Sequence, residues 1–356
     1  MLFRAPNLVM LRGTELRIQN RFETTSHEAF DDGWNSPQTM ELPVVQTEFL
    51  EDHSKSILSK NDSPDLGFDY SVNVYRGCEH GCAYCYARPT HEYLGMNAGI
   101  DFESKIMVKH DAPDLLREAF DKASWKPQYI MMSGNTDCYQ PAEREFGITR
   151  KMLEVFLEYR NPVGIITKNA LILRDSDLLA EMAKLRLVSV FFSITTLDRD
   201  LARKLEPRTS TPERRLHALR TIAEAGVPTG VMIGPAIPGL NDEEIPAILR
   251  AARESGVKSA GYNMVRLPYA VRPIFEEWLE KNVPLEAKKI MARIQMVRDG
   301  RMNDPEFGSR MRGTGGYADY IKELFRKTCK RLGLNEERFH LTTEHFRRPG
   351  AMTLFD

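Results

Sequence analysis

Cys78-Glu79-His80-Gly81-Cys82-Ala83-Tyr84-Cys85 holds three of the chain's five cysteines, directly after the apolar, strand-like run Tyr70-Ser-Val-Asn-Val-Tyr75. Spacings of four and three residues would set the sulfurs on one face of a helix. Gly77 and Gly81 favour a loop instead, because glycine permits the positive φ angles that wrap a backbone around a compact object. Soft thiolates gathered at one point select zinc, copper(I) or an iron–sulfur cluster. A [4Fe–4S] cube held wholly by protein takes four cysteines. This loop offers three, which would leave one iron open to another ligand. The competing assignment is a Cys3His zinc site in a non-catalytic nucleic-acid-interaction protein, with His80 as fourth ligand. Structural zinc usually draws on two separated ligand pairs, and Cys138 and Cys329 stand alone. Cysteines this few, odd in number and close together do not make a disulfide framework.

The C-x3-C-x2-C spacing, with an aromatic residue before its last cysteine, resembles the signature of the radical S-adenosylmethionine (SAM) enzymes. That resemblance implies that Cys78, Cys82 and Cys85 hold three irons of a [4Fe–4S] cluster, and that SAM chelates the fourth through its amino and carboxylate groups. It implies reductive cleavage of SAM to methionine and a 5′-deoxyadenosyl radical, which takes a hydrogen atom from the substrate. An electron donor such as flavodoxin or ferredoxin is implied with it. Tyr84 has the position of the aromatic that shields the cluster and packs on adenine.

Reduced cysteines and an oxygen-sensitive cluster both suit the cytoplasm, which is the expected location. The chain has 356 residues, 42% of them hydrophobic, enough for one large α/β domain or two smaller ones. Its net charge of −1 makes no global electrostatic case for nucleic acid or membrane. Residues 286–348 differ: fifteen Lys/Arg stand against nine Asp/Glu, an excess of six that suits a phosphate-bearing partner. No apolar run approaches the ~20 residues of a membrane span. The opening Met1–Met10 contains Pro6 and lacks a small-residue cleavage site, so it reads poorly as a signal peptide.

Residues 1–66 are polar and rich in turn formers (Asp31-Asp-Gly33, Asn35-Ser-Pro37, Asn61-Asp-Ser-Pro64), and read as an extended segment that wraps the core. Strand-like runs follow at 70–75, 129–133, 163–167, 188–195, 228–235 and 261–266. Helical stretches lie between them near 111–123, 148–160, 175–186, 211–225 and 241–255. Thr211 before Pro212 reads as an N-cap with proline at the first helical position. Asn241 with Glu244 reads as a capping box. Alternating strands and helices predict βαβ units on a parallel sheet. Six such units match the partial (β/α)6, TIM-like barrel of radical SAM enzymes. The division expected is 1–66 as N-terminal segment, 67–270 as barrel and 271–356 as a helical extension with amphipathic helices near 284–299 and 316–332. Chemistry on such a barrel sits at the C-terminal strand ends.

Those ends carry the remaining candidates. The second strand runs into Ser133-Gly134-Asn135-Thr136-Asp137, a polar cluster that the resemblance assigns to SAM's amino group. Asn135-Thr-Asp137, Tyr139-Gln-Pro141 and Glu143 look more specifically like the branch of spore photoproduct lyase and the "DNA repair photolyases". The third strand ends at Lys168, implied to pair with the SAM carboxylate. Ser193 and Thr195 on the fourth match positions that contact SAM ribose or carboxylate. Gly234 on the fifth lets the backbone approach adenine, and Tyr262–Pro268 on the sixth lies beside it. Glu206, Arg208 and Arg215 fall near the active rim, in a stretch whose composition suits a solvated helix start. The resemblance covers roughly residues 70–268, and Arg17-Ile-Gln-Asn-Arg-Phe-Glu23 and Arg312-Gly-Thr-Gly-Gly-Tyr317 fit only in outline. The chain departs from spore photoproduct lyase at Ser133-Gly-Asn135, where the lyase has a hydrogen-donor cysteine. Cys138 lies past Asp137, and is expected to be a buried small hydrophobe. These motifs and the basic C-terminal third point first to a nucleic-acid lesion or modified base as substrate, with a peptide or small molecule as the alternative.

Overall fold

A computed structural model describes residues 12–23, 45–337 and 339–350. The first ten residues and the turn signals at 31–33 and 35–37 lie outside the described residues. Ten strands follow one another: β1 (Glu48–Glu51), β2 (Leu58–Lys60), β3 (Tyr70–Val72), β4 (Tyr75–Arg76), β5 (Lys105–Val108), β6 (Ile130–Met132), β7 (Val163–Thr167), β8 (Val188–Ser193), β9 (Thr229–Ala236) and β10 (Ser259–Met264). Seven form one sheet in the order β10-β9-β8-β7-β6-β3-β2. Six of these, β3 and β6 to β10, run parallel, and β2 is antiparallel at one edge. The register is set by pairs such as Val72↔Met132, Met132↔Ile165, Thr167↔Phe192 and Phe192↔Val231.

The expected six parallel units are therefore present as an open sheet with edges at β2 and β10. Helices 112–121, 148–159, 176–184, 212–224 and 245–254 precede or separate the strands, within a few residues of their expected bounds. Val188, Val190, Phe192 and the intervening Ser189 are all buried, the pattern of a strand covered on both faces. Thr211 caps its helix by accepting from the Arg214 amide at 3.4 Å, with Pro212 first in the helix. Asn241 forms no such cap. Its amide instead ties strand ends together, donating to Thr195 O (2.7 Å) and Pro235 O (3.0 Å). Glu244 takes the Thr196 hydroxyl and the Leu197 amide. The expected capping pair therefore works as a clamp between β8 and β9.

The segment before residue 66 contributes more than a wrap. β1 pairs with β5, and β5 with β4, as a second, three-stranded sheet, while β2 joins the main one. Sequence reading also missed β5, the 3-10 helix 88–94 and helices 100–104, 199–205 and 271–282. The first is only four residues long, and its partners lie far away in sequence. Helices 287–296 and 315–332 form where amphipathic periodicity placed them, the latter packed on helix 245–254.

One buried ion pair braces the cysteine loop against the N-terminal segment. Arg88 is 0% exposed and pairs with Glu103 at 2.5 Å. Its guanidinium also donates to Cys82 O (3.1 and 2.9 Å) and Gly99 O (3.0 Å). Glu103 in turn accepts from the Gly13 amide at 2.8 Å. Removing one member of a buried pair leaves the other charged and unsolvated, which costs about 3–5 kcal/mol. Arg88→Met should therefore lower the unfolding free energy by that amount, read as a shifted denaturant midpoint at constant m-value. A midpoint within error of the wild type would show that the pair contributes nothing net.

Candidate active site

The cysteine loop leaves β4 at the C-terminal edge of the parallel sheet, and has no hydrogen-bond ladder of its own. Other parts of the chain supply its partners. The Cys78 amide donates to Phe102 O (2.8 Å), Ala83 N to Leu205 O (3.1 Å), and Arg208 N to His80 O (3.4 Å). Gln140 clamps the backbone on both sides of Cys78, accepting from Glu79 N at 2.8 Å and donating to Gly77 O at 3.2 Å. Gly81 has φ +65°, and a Cβ there would lie 2.6 Å from a Glu103 oxygen. Gly13 packs so closely over it that a Cβ would meet Gly81 O at 1.6 Å. The loop is thus pressed between the N-terminal segment and the sheet, and only glycine fits at that contact.

All three cysteines are free; Cys78 and Cys82 are buried and Cys85 is half-buried. Cys85 packs against both the Cys82–Tyr84 apolar cluster and the Cys78–Phe102 cluster, so it sits between the other two. Burial pushes the Cys78 thiol up, and Asp137 and Cys85 add to the rise. Burial likewise raises Cys82, with Glu206, Cys85 and Cys78 contributing. Burial and neighbouring negative charge thus favour the neutral thiol at Cys78 and Cys82, and a coordinated metal deprotonates its cysteine ligands outright. The donor set fits a cluster of irons.

It does not suit one zinc ion. His80 turns away from the thiols: Nε2 accepts from Asn169 Nδ2 at 3.2 Å and Nδ1 faces Asp137 at 3.5 Å. Burial pushes its pKa down to about 4 against the pull of Asp137, so the ring is neutral at physiological pH. The Asn169 orientation is fixed, because its Oδ1 accepts from Leu171 N and Ser210 Oγ.

Asp137 binds its own chain. Oδ1 accepts from Thr167 Oγ1 (2.8 Å) and Tyr139 N (2.9 Å), and Oδ2 from Lys168 N (2.7 Å). The carboxylate therefore welds the end of β6 to the end of β7. Thr136 is buried and donates to Tyr75 O at 2.9 Å. Asn135 is exposed, with its amide held by Asn73 Oδ1, and Gly134 offers its carbonyl to Tyr86 OH. Ser133 is held at φ +76°, a strained setting for serine, and its hydroxyl accepts from Cys138 N at 2.8 Å. Cys138 itself is 1% exposed in the main core, as its position past the strand end led one to expect. Glu143 is fully buried, accepting from Tyr75 OH (2.5 Å) and pairing with Arg174 (2.7 Å).

Lys168, Ser193 and Gly234 do come together. Lys168 Nζ donates to Ser193 Oγ at 3.1 Å, and Ser193 Oγ donates to Gly234 O at 3.2 Å. The ammonium also lies 5.8 Å from the centre of the Tyr84 ring. That ring packs with Leu205, Ile237, Val265 and Leu267, an apolar wall at the ends of β9 and β10. Thr195 is spoken for: it donates to Glu206 at 2.6 Å.

Glu206 and Arg215, expected as a solvated rim, are instead buried, at 2% and 1% exposed. They pair at 2.5 Å, and Tyr84 OH donates to the same carboxylate. Arg215 also reaches Ser210 O (2.7 Å) and Ser193 O (2.9 Å). Arg208 pairs with Glu79 at 2.8 Å. The sequence signal was present in the resemblance of this stretch, but composition alone points to solvent. Burial tends to raise the Glu206 pKa, yet Arg215, Lys168 and the hydrogen bonds from Thr195 and Tyr84 outweigh it and hold the value down to about 2, against an ordinary 4.5. A depressed carboxylate stabilises the fold above its unfolded pKa and loses that contribution as pH falls through the folded one. The stability difference between wild type and Glu206→Gln should be widest above pH 4.5 and shrink towards pH 2. A difference that is flat across that window, in urea titrations at each pH, would mean that Glu206 is not held ionised by these partners.

Comparison with known proteins agrees with this geometry. Residues 72–252 match the family model described as Radical SAM superfamily. An uncharacterized protein of Mycobacterium tuberculosis is 36% identical over 233 residues, covering 65% of this chain and 68% of the relative. One from Methanocaldococcus jannaschii is 33% identical over 178 residues, covering 50% and 64%. In fold, the chain is similar to spore photoproduct lyase complexed with dinucleoside spore photoproduct, with a TM-score of 0.58, 15% identity and 80% of each chain covered. A variant of that lyase with bound AdoMet and the same dinucleoside gives 0.57 at 15% identity, again over 80% of each. With a family model spanning half its length and a relative at this identity, the chain belongs to the radical SAM superfamily, whose cofactors are a [4Fe–4S] cluster and S-adenosylmethionine.

Proposed function

We propose that this protein reductively cleaves SAM at a [4Fe–4S] cluster held by Cys78, Cys82 and Cys85, and acts on a nucleic-acid substrate. The observation that carries the first part is the loop itself: three free thiols, mutually close, at the C-terminal edge of a six-stranded parallel sheet. When bound, the cluster and SAM supply one-electron cleavage of a carbon–sulfur bond and a carbon radical that abstracts hydrogen.

The chain's own residues hold and orient. Lys168 offers an ammonium on the active face that suits the SAM carboxylate, steadied by Ser193 and the Tyr84 ring. Tyr84, locked through its hydroxyl to Glu206, presents a fixed apolar wall to a planar base. The backbone at Gly134 and the exposed Asn135 side chain lie at the lip, where they suit the amino group. Packing of Gly13 over Gly81 keeps water from the back of the loop. An external one-electron donor of the flavodoxin or ferredoxin type would complete the cycle. The nucleic-acid reading is supported by the lyase-like fold and by arginines and exposed aromatics around the mouth. It is not supported by the C-terminal charge excess as one patch. Arg347 and Arg348 cap backbone carbonyls of Glu158 and Phe120 at the opposite, N-terminal side of the sheet.

Anaerobic purification tests the cluster. Cys78→Ala, Cys82→Ala and Cys85→Ala should each lose iron and the broad absorption near 400 nm, together with 5′-deoxyadenosine formation under reducing conditions. Cys329→Ala should keep both. Iron retained in Cys82→Ala and lost in Cys329→Ala would sink the assignment. Lys168→Ala should keep its iron but bind SAM about 1–3 kcal/mol more weakly, the usual loss for a charge-assisted hydrogen bond. An unaltered dissociation constant by calorimetry would return Lys168 to a structural role.

A further inference from the structure

The parallel sheet is open between β2 and β10, and its two edges are joined by side chains from the flanks of the chain. Arg310 binds Asp65 at 2.6 Å and Ser63 at 2.5 Å, and Asp65 also accepts from Gly308 N. Above this clasp, at the C-terminal end of β10, arginines crowd together. Arg298 is 2% exposed and spends its NH groups on Val265 O (2.7 Å), Met264 O (3.4 Å) and Ser309 O (3.2 Å). Arg312 donates to Tyr262 O at 2.7 Å and lies over the Tyr262 ring at 4.4 Å.

Arg266 differs from them in its terminal NH groups. Its Nε, like that of Arg298, is buried without a partner among the described residues, but its NH groups reach no oxygen there, and its only hydrogen-bond contact is NH1 to Met311 Sδ at 3.9 Å. Asp65 and Asp304 are nearby but engaged, the first by Arg310 and the second with the Glu306 amide. The guanidinium lies 5.8 Å from the centre of the Tyr86 ring. Tyr86 is 48% exposed, follows Cys85 directly, and reaches across to Gly134 O at the end of β6. Arg266 thus faces the mouth of the site one residue from the cysteine loop. A half-buried guanidinium with unused donors is costly unless an anion joins it, and its planar fork matches phosphate oxygens.

We propose that Arg266 is the phosphate-binding residue of the substrate site, taking a phosphodiester of a single-stranded or extruded nucleic acid, with the open face of Tyr86 beside it for a base. Arg310, held by Asp65, and the carbonyl-bound Arg298 supply the positive surroundings without competing for the ligand. The flanking exposed aromatics Phe307, under Arg310 at 4.3 Å, and Tyr269, under Arg21 at 3.8 Å, extend the alternation of cation and ring that single strands favour. This assignment rests on the nucleic-acid reading above.

The test is fluorescence anisotropy of a labelled single-stranded DNA of about ten nucleotides, with the anaerobically purified full chain, over a salt series. Arg266→Gln should bind about tenfold or more weakly, and the slope of log K against log salt should fall by about 0.7, the loss of one phosphate contact. Arg266→Lys should keep the slope, as a point charge, while losing affinity. Arg326→Gln, from an exposed pair on helix 315–332, should match wild type. Thermal midpoints for every variant separate binding from folding. If wild type binds and folded Arg266→Gln binds equally with the same slope, the subsite is wrong and the nucleic-acid reading stands. If wild type binds no DNA, or an acidic peptide displaces the DNA as well as unlabelled DNA does, both the subsite and that reading fall, while SAM cleavage is untouched.

Discussion

An eight-residue loop without helix or strand lies buried at the head of the sheet, and apart from the turns Gly81 N to Cys78 O and Cys85 N to Cys82 O its backbone groups must find partners elsewhere. That constraint organises the surrounding structure. Gln140 serves the groups on either side of Cys78, Arg88 serves Cys82 O, and Phe102 and Leu205 serve the amides of Cys78 and Ala83. Each of these partners then needs its own support. Arg88 requires Glu103, which requires Gly13; Gln140 is carried on the turn that Asp137 starts. The N-terminal segment continues the same logic, with Asn20 donating to Glu92 O and Arg21 pairing with Glu92 behind the 3-10 helix that follows the cysteines.

This explains why the motif beyond the second strand looks catalytic in sequence and is mostly architectural in three dimensions. Asp137, Tyr139, Gln140 and Glu143 each meet a different demand of the loop or of the strand ends. Tyr139 OH reaches Asp175 at 3.1 Å, and Arg174 and Arg150 converge on the same carboxylate. In the proposed site the residues left to a ligand are fewer: Lys168, the face of Tyr84, and the lip at Gly134 and Asn135.

Much of the fold was legible because its signals are local. Parallel strands buried on both faces read as short apolar runs, and helices between them announce themselves by period and by Thr211–Pro212. The cysteine spacing is equally local. What stayed hidden depends on partners distant in sequence. Arg88 and Glu103 look like ordinary surface charges until the chain brings them together across fifteen positions. Glu206 and Arg215 have the composition of a solvated helix start, yet the Cys82–Tyr84 loop and β8 cover them. Asn241 and Glu244 satisfy the spacing of a capping box, but the nearer orphan donors at Ile237 N and Leu197 N win their side chains.

Charge placement follows from the same closure problem. The main sheet is open, so its two edges, β2 and β10, leave a seam that the flanks cover. Residues 63–65 and 308–312 do so with a clasp whose carboxylate comes from the N-terminal side and whose arginine comes from the C-terminal side. Assembling the seam draws several guanidinium groups to the end of β10, where strand-end carbonyls satisfy most of them. Arg266 is the member that the seam leaves facing the mouth. A cation in that position is structurally expensive, since its neighbours Arg298 and Arg310 oppose it and burial weakens its hydration. In the proposed site an incoming phosphate would offset that cost, so that substrate charge would be recognised along the side of the sheet where its edges stay open.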